Sequence, residues 1–103
     1  MSNTSDFFPW ATAVGANVAS VANYQAASIR QQGAQLGIAD PVSFNNAMRQ
    51  ATSAAAMVAA FTAQYGPGNA LDNGNISNFL TQFIAALEAL IAAQIPTAST
   101  DLY

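Results

Sequence analysis

The side chains able to carry charge chemistry in this chain are five carboxylates, Asp6, Asp40, Asp72, Glu88 and Asp101, and two guanidinium groups, Arg30 and Arg49. General acid–base catalysis near neutral pH recruits histidine or a carboxylate with a tuned pKa. Histidine is absent, and no two acids have the short spacing that sets a carboxylate pair on one helix face. Only tertiary folding could bring two of them together; the plainer role for scattered acids is helix capping and solubility. No catalytic residue is assigned, and the chain is expected not to be an enzyme.

Metal and redox chemistry is disfavoured on the same inventory, because zinc and iron sites draw mainly on Cys and His, and the sequence has neither. The stretch Asp72-Asn73-Gly74-Asn75 resembles the opening of a calcium loop, but its glycine comes too early and the closing bidentate acid is missing. It reads as a turn. No lysine is present to serve a phosphate loop, so neither metal nor cofactor is expected.

Partners are narrowed by charge. Affinity for a nucleic-acid backbone comes largely from several Lys and Arg releasing counterions, and two arginines with a net charge of -3 do not supply it. The same balance disfavours anionic membrane surfaces. No run of about eighteen apolar residues is free of polar ones, and no positive charge precedes a hydrophobic stretch near Met1–Asp6, so a soluble chain made without a cleaved secretion signal is expected. The absence of cysteine removes disulfides as a source of stability.

The elements that would position these residues are helical. A length of 103 residues implies one domain, and an apolar share of 52% dominated by alanine suits close helix-on-helix contact. Alanine buries little area per residue, which leaves an isolated monomer short of large core side chains and suggests that subunits complete one another's cores. Only 7% of the chain is charged, as suits a protein held permanently in an assembly, since charge is depleted at interface cores.

Along the chain, Asp6-Phe7-Phe8-Pro9-Trp10 gathers three large aromatics around a proline that disfavours helix at Phe8, and an extended arm over residues 1–18 is expected. That arm is either a strap folded over its own helices or an anchor on a neighbour, since aromatics dominate interface energetics. Small residues and Gly15 predict irregular backbone over 11–18. A first, weakly amphipathic helix is expected at about 20–32, ended by Gly33, then a loop through Gly37. Asp40-Pro41 opens a second helix at about 42–65, and Gly66-Pro67-Gly68 stops it.

The third helix, about 76–94, starts after Asn75. Its residues Ile76, Leu80, Phe83, Leu87 and Leu90 repeat at four-three spacing, widened by Phe79, Ile84 and Ile91. With Glu88 as its single charge this helix belongs at the centre of a bundle, either inside one monomer or along an axis shared by several copies. The tail 96–103 leaves the helix at Pro96 and either frays or anchors on a neighbour through Leu102 and Tyr103. The resulting fold class is all-α, a three-helix bundle-like protomer with an aromatic N-terminal arm. Arg49 lies beside the second helix's seam, where its fork is expected to be structural, bonding carbonyls or pairing with Asp72 or another acid.

The order of four segments carries a resemblance: Asp6 through Val18, Tyr24 with its alanines, Asn45-Asn46-Ala47-Met48-Arg49-Gln50-Ala51, and Leu71-Asp72-Asn73-Gly74-Asn75. Together they resemble a small helical module of tailed bacteriophages, found in tail-fibre and related virion proteins, over roughly residues 6–92. The resemblance implies a virion structural protein of the tail or a tail appendage, made in the bacterial host cytoplasm. It implies a homo-oligomer, with a trimer favoured, docked to other phage tail or neck proteins. The fibre segment that usually follows such modules is missing, which implies an adaptor or small fibre component rather than a receptor-binding tip. On this reading Phe7, Phe8, Trp10, Ile76, Leu80, Phe83, Leu87 and Leu90 form interfaces, while Arg49 and Asp72 are structural. The alternative is a secreted or cell-surface helical filament or adhesin subunit.

Overall fold

In the computed structural model, which describes residues 3–37 and 39–95, each long helix begins at a polar residue whose side chain takes up a free backbone donor. Asp40 Oδ1 accepts from Ser43 N (3.1 Å) and Asn75 Oδ1 accepts from Asn78 N (3.0 Å). They open α3, Pro41–Tyr65, and α4, Ile76–Gln94. Both agree with the expected helices to within a residue. Before them come α1, Val21–Ala26, and α2, Ser28–Gln32, and there is no strand among the described residues. The protein is all-α.

The single helix expected over 20–32 is a pair. Ala27 is extended (φ -64°, ψ 134°) and breaks the ladder, with its N–H donating to Tyr24 O. The break frees the carbonyl of Gln25, and Arg30 Nε (2.9 Å) and Gln31 Nε2 (3.4 Å) both donate to it. Helices of six and five residues gain too little from their own hydrogen bonds to persist alone. Irregular backbone over 11–18 is as expected: Gly15 has φ 80°, and Ala11 also adopts a left-handed φ of 57°. The tail 96–103, with the anchoring role considered for Leu102 and Tyr103, lies outside the described residues.

The described residues form two compact units, one comprising Phe8–Ala55 and the other residues 3–7 together with 56–95. In the second, the core is built from small side chains: Ala59, Ala63 and Ala70 are buried together, with Phe7 and Phe79 packed against them. Ala86 and Thr62 are also buried, and Thr62 Oγ1 donates to Val58 O (2.8 Å). Their size lets backbones approach closely. A Cβ on Gly66 would collide with Thr62 O and sit 3.3 Å from Gln82 O, so only glycine fits where α3 ends against α4.

In the unit Phe8–Ala55, asparagine does the work that large apolar residues usually do. Asn46 is 2% exposed, and its amide accepts from Ala19 N (2.7 Å) and donates to Ala19 O (3.0 Å). Asn45 accepts from Trp10 Nε1 (3.0 Å) and donates to Asn17 O (2.9 Å). Both side chains therefore replace the ladder partners that an irregular segment lacks.

Candidate interaction surface

α4 carries two apolar faces. Phe79, Phe83 and Leu90 are half-buried and Ala86 is buried. Phe83 meets Phe61 of α3 at 5.7 Å between ring centroids, and Phe61 in turn meets Tyr65 at 5.1 Å. On the adjoining face, Ile76, Leu80, Ile84, Leu87 and Ile91 are all exposed, from 41% at Leu87 to 79% at Ile76, and Ile95, the extended residue after the helix, is exposed as well. The five-residue seam expected from the sequence is thus divided. Ile76, Leu80 and Leu87 lie on the open face, whereas Phe83 and Leu90 are on the packed side. Periodicity along one helix does not tell which branch of a wide stripe α3 covers.

Next to the open face, Val58, Ile76, Phe79, Leu80 and Phe83 line an apolar cleft of about 210 Å³. No polar group is aimed into it. A second open cleft, about 200 Å³, lies in the unit Phe8–Ala55 between Tyr24, Ile29, Arg30 and Phe44. The first lacks the converging polar groups that orient a bound small molecule, and the second, although Tyr24, Arg30 and Ser43 line it, presents a wall that is almost wholly apolar. Among the described residues no three His, Cys, Asp or Glu side chains gather as a metal site would require.

The aromatic arm is placed residue by residue. Residues 3–7 form a strap: Asp6 N donates to Ala70 O and Ala70 N to Thr4 O, both at 2.9 Å, as an isolated parallel bridge. Asn3 Nδ2 donates to Gly66 O (3.0 Å), and Thr4 N to Asn69 Oδ1 (2.8 Å). The Phe7 ring stacks on Phe79 at 5.1 Å, so Phe7 belongs to its own chain's core. Trp10 is pinned through its indole by Asn45, and its backbone N–H donates to Thr52 Oγ1 (2.7 Å), yet the residue stays 48% exposed. Phe8 has the freest ring of the three, at 78%.

Arg49 reaches Ala11 O through Nη1 at 3.5 Å, a long bond that takes up a carbonyl beside the strained Ala11 backbone. The fork of Arg49 thus bonds a carbonyl of its own unit. Asp72 instead donates its N–H to Asp6 Oδ2 (3.1 Å), tying the turn before α4 to the strap. Sequence reasoning assigned no role to Asn45, Asn46, Thr52 or Asn69. Their signal was an excess of amides and hydroxyls in a chain with almost no charge, which signals backbone satisfaction rather than solvation.

By length and composition alone, α4 is apolar enough to cross a membrane. It also holds Asn78, Gln82 and Glu88, and a carboxylate near the bilayer centre costs on the order of 3 kcal/mol or more. Gln82 Oε1 is buried without a hydrogen-bond partner among the described residues. Comparison with protein-family models, with curated protein sequences and with solved structures finds no match to this chain.

Proposed function

We propose that the chain is a non-enzymatic structural subunit of a bacteriophage virion, a tail or tail-fibre component that assembles as a homo-oligomer and docks to other virion proteins. The observation that carries this reading is the apolar face of α4, five large side chains from Ile76 to Ile91 that this chain leaves open to solvent. Contiguous apolar surface of this extent marks an interaction site rather than a free monomer's exterior. The order of motifs around Phe7, Arg49 and Asp72 resembles that of the phage module and gives the assembly its class. Scarce charge supports a partner that is protein rather than nucleic acid or membrane.

In this reading the assembled protomer is three-helix bundle-like, a trimer is the favoured state, Phe8 and the exposed edge of Trp10 meet a neighbouring virion protein, and the subunit resides in the particle after synthesis in the host cytoplasm. Two measurements test it together: molar mass by light scattering over a wide dilution series, and immuno-electron microscopy of particles from cells producing the chain. A concentration-resistant oligomer and labelled tails are expected. Absence of the chain from purified particles refutes the virion assignment, and a monomer at every concentration refutes the oligomer.

A further inference from the structure

We propose that Asn73 is a site of spontaneous covalent modification: its side-chain amide is displaced by the backbone nitrogen of Gly74, and the products are aspartate and isoaspartate at position 73. Asparagine is a heat-labile residue, and Asn73 is the one asparagine of this sequence that a glycine follows. The pair lies in the exposed turn just before α4. Gly74 has φ 78°, a left-handed backbone that disfavours any side chain, and a Cβ built on it would meet nothing within 4 Å. The turn therefore demands glycine at the position where the lack of a side chain leaves the attacking nitrogen unshielded. Asn73 Oδ1 also accepts from Asn75 N (3.0 Å). That bond closes a loop containing the Gly74 peptide, and it sets a donor on the oxygen that gains negative charge as the nitrogen attacks.

The step is an intramolecular acyl transfer, favoured by the proximity of its two groups. Gly74 N gives its proton to water or hydroxide and bonds to Asn73 Cγ. The Cγ–Nδ2 bond breaks, and Nδ2 leaves as ammonia with a proton taken from solvent, so a succinimide ring joins the two residues. Water then opens that ring. Breaking the new Cγ–N bond gives aspartate; breaking the original peptide C–N bond gives isoaspartate, whose main chain runs through Cβ. One water is consumed and one ammonia released, with no change of oxidation state. The two products differ in consequence. A carboxylate at 73 suits the adjacent N-terminus of α4. Isoaspartate instead lengthens the main chain between Asp72, whose N–H holds the strap through Asp6 Oδ2 (3.1 Å), and Asn75, whose Oδ1 caps α4 at Asn78 N (3.0 Å). The capped helix is the stiffer of these two anchors, so the exposed bond from Asp72 to Asp6 is the one that gives way.

The test is incubation of the folded full chain in mildly alkaline buffer, followed by peptide mapping with electron-transfer fragmentation, which separates aspartate from isoaspartate. Conversion at Asn73 ahead of every other asparagine is expected, with both products present. Gly74→Ala is expected to slow it at least about tenfold, and Asn73→Gln, which needs a larger ring, to stay intact; should Gly74→Ala not fold, Asn73→Gln carries the comparison. A folded chain that keeps Asn73 while a synthetic peptide of residues 69–78 converts overturns the proposal, as does earlier conversion of another asparagine. Hydrogen exchange reads the consequence. In the isoaspartate fraction, isolated by ion exchange, the Asp72 amide is expected to exchange at least about tenfold faster than in the unmodified chain, and in Asn73→Asp at the unmodified rate. Equal exchange in all three overturns the release of the strap by isoaspartate, and faster exchange in Asn73→Asp as well overturns it in favour of charge.

Discussion

Replacing Asn46 tests whether amide clips, rather than apolar bulk, hold the unit Phe8–Ala55 together. Asn46→Ala removes two hydrogen bonds to Ala19 at once, of 2.7 and 3.0 Å. Each is worth about 1 kcal/mol net, and a donor or acceptor left without a partner in a buried site costs about 1–3 kcal/mol. Ala19 is only half-buried, so water can recover part of that loss, and the expected destabilisation is about 2–3 kcal/mol. In a domain of this length that lowers Tm by about 10–20 °C. Trp10 is the only tryptophan and lies in the same unit, bonded to Asn45, so its fluorescence in a urea titration reads this unit directly. A loss below about 0.5 kcal/mol with an unchanged denaturant slope would show that Asn46 fills space and no more.

The isosteric Asn46→Asp sharpens the argument. Its carboxylate can still accept from Ala19 N, but it sets a second oxygen against Ala19 O with no proton to share. Protonation restores the donor, so the folded state prefers the acid form and raises the introduced group's pKa above the ordinary value of about 3.9. The folded state then binds more protons than the unfolded state. Stability of this variant is greatest below the unfolded pKa and is lost as pH rises through the folded one. A variant whose stability falls as pH falls over that range would refute the bonding pattern.

Three further outcomes follow from the packing. Gly66→Ala should destabilise by about 1–3 kcal/mol in thermal unfolding, because its Cβ collides with Thr62 O and crowds Gln82 O. Gln82→Met removes an acceptor that has no partner among the described residues while keeping the side chain's length, and should raise stability by up to about 1 kcal/mol in urea unfolding; a loss would mean the amide is bonded. Asp40→Ala should cost about 1 kcal/mol through the lost cap to Ser43 N, read by circular dichroism at the helical minimum.

The two long helices were legible because their boundaries are written in local chemistry: an aspartate before proline, a capping asparagine, and a Gly-Pro-Gly stop. The break at Ala27 was not. Nothing in Gln25-Ala26-Ala27-Ser28 disfavours helix, and the kinked form is held by Arg30 and Gln31 reaching back to a carbonyl. Phe7 illustrates the other limit. Composition left strap and anchor equally open, and the choice came from Phe79 and the backbone of Ala70, more than sixty residues away.

From its residues alone this chain shows an all-α fold, a scarcity of catalytic and metal-ligating groups, and a last helix more apolar than a single contact requires. Those properties depend on side-chain type and on short-range spacing, and both are present in the linear order. Tertiary structure decided which part of that wide stripe stays open, placing Phe79 and Phe83 against α3 and leaving Ile84 and Ile91 exposed. It also decided that asparagines close the irregular segment at Ala19. Helical periodicity ranks positions around one axis, but the direction from which a neighbour arrives is set by contacts between residues far apart in the chain.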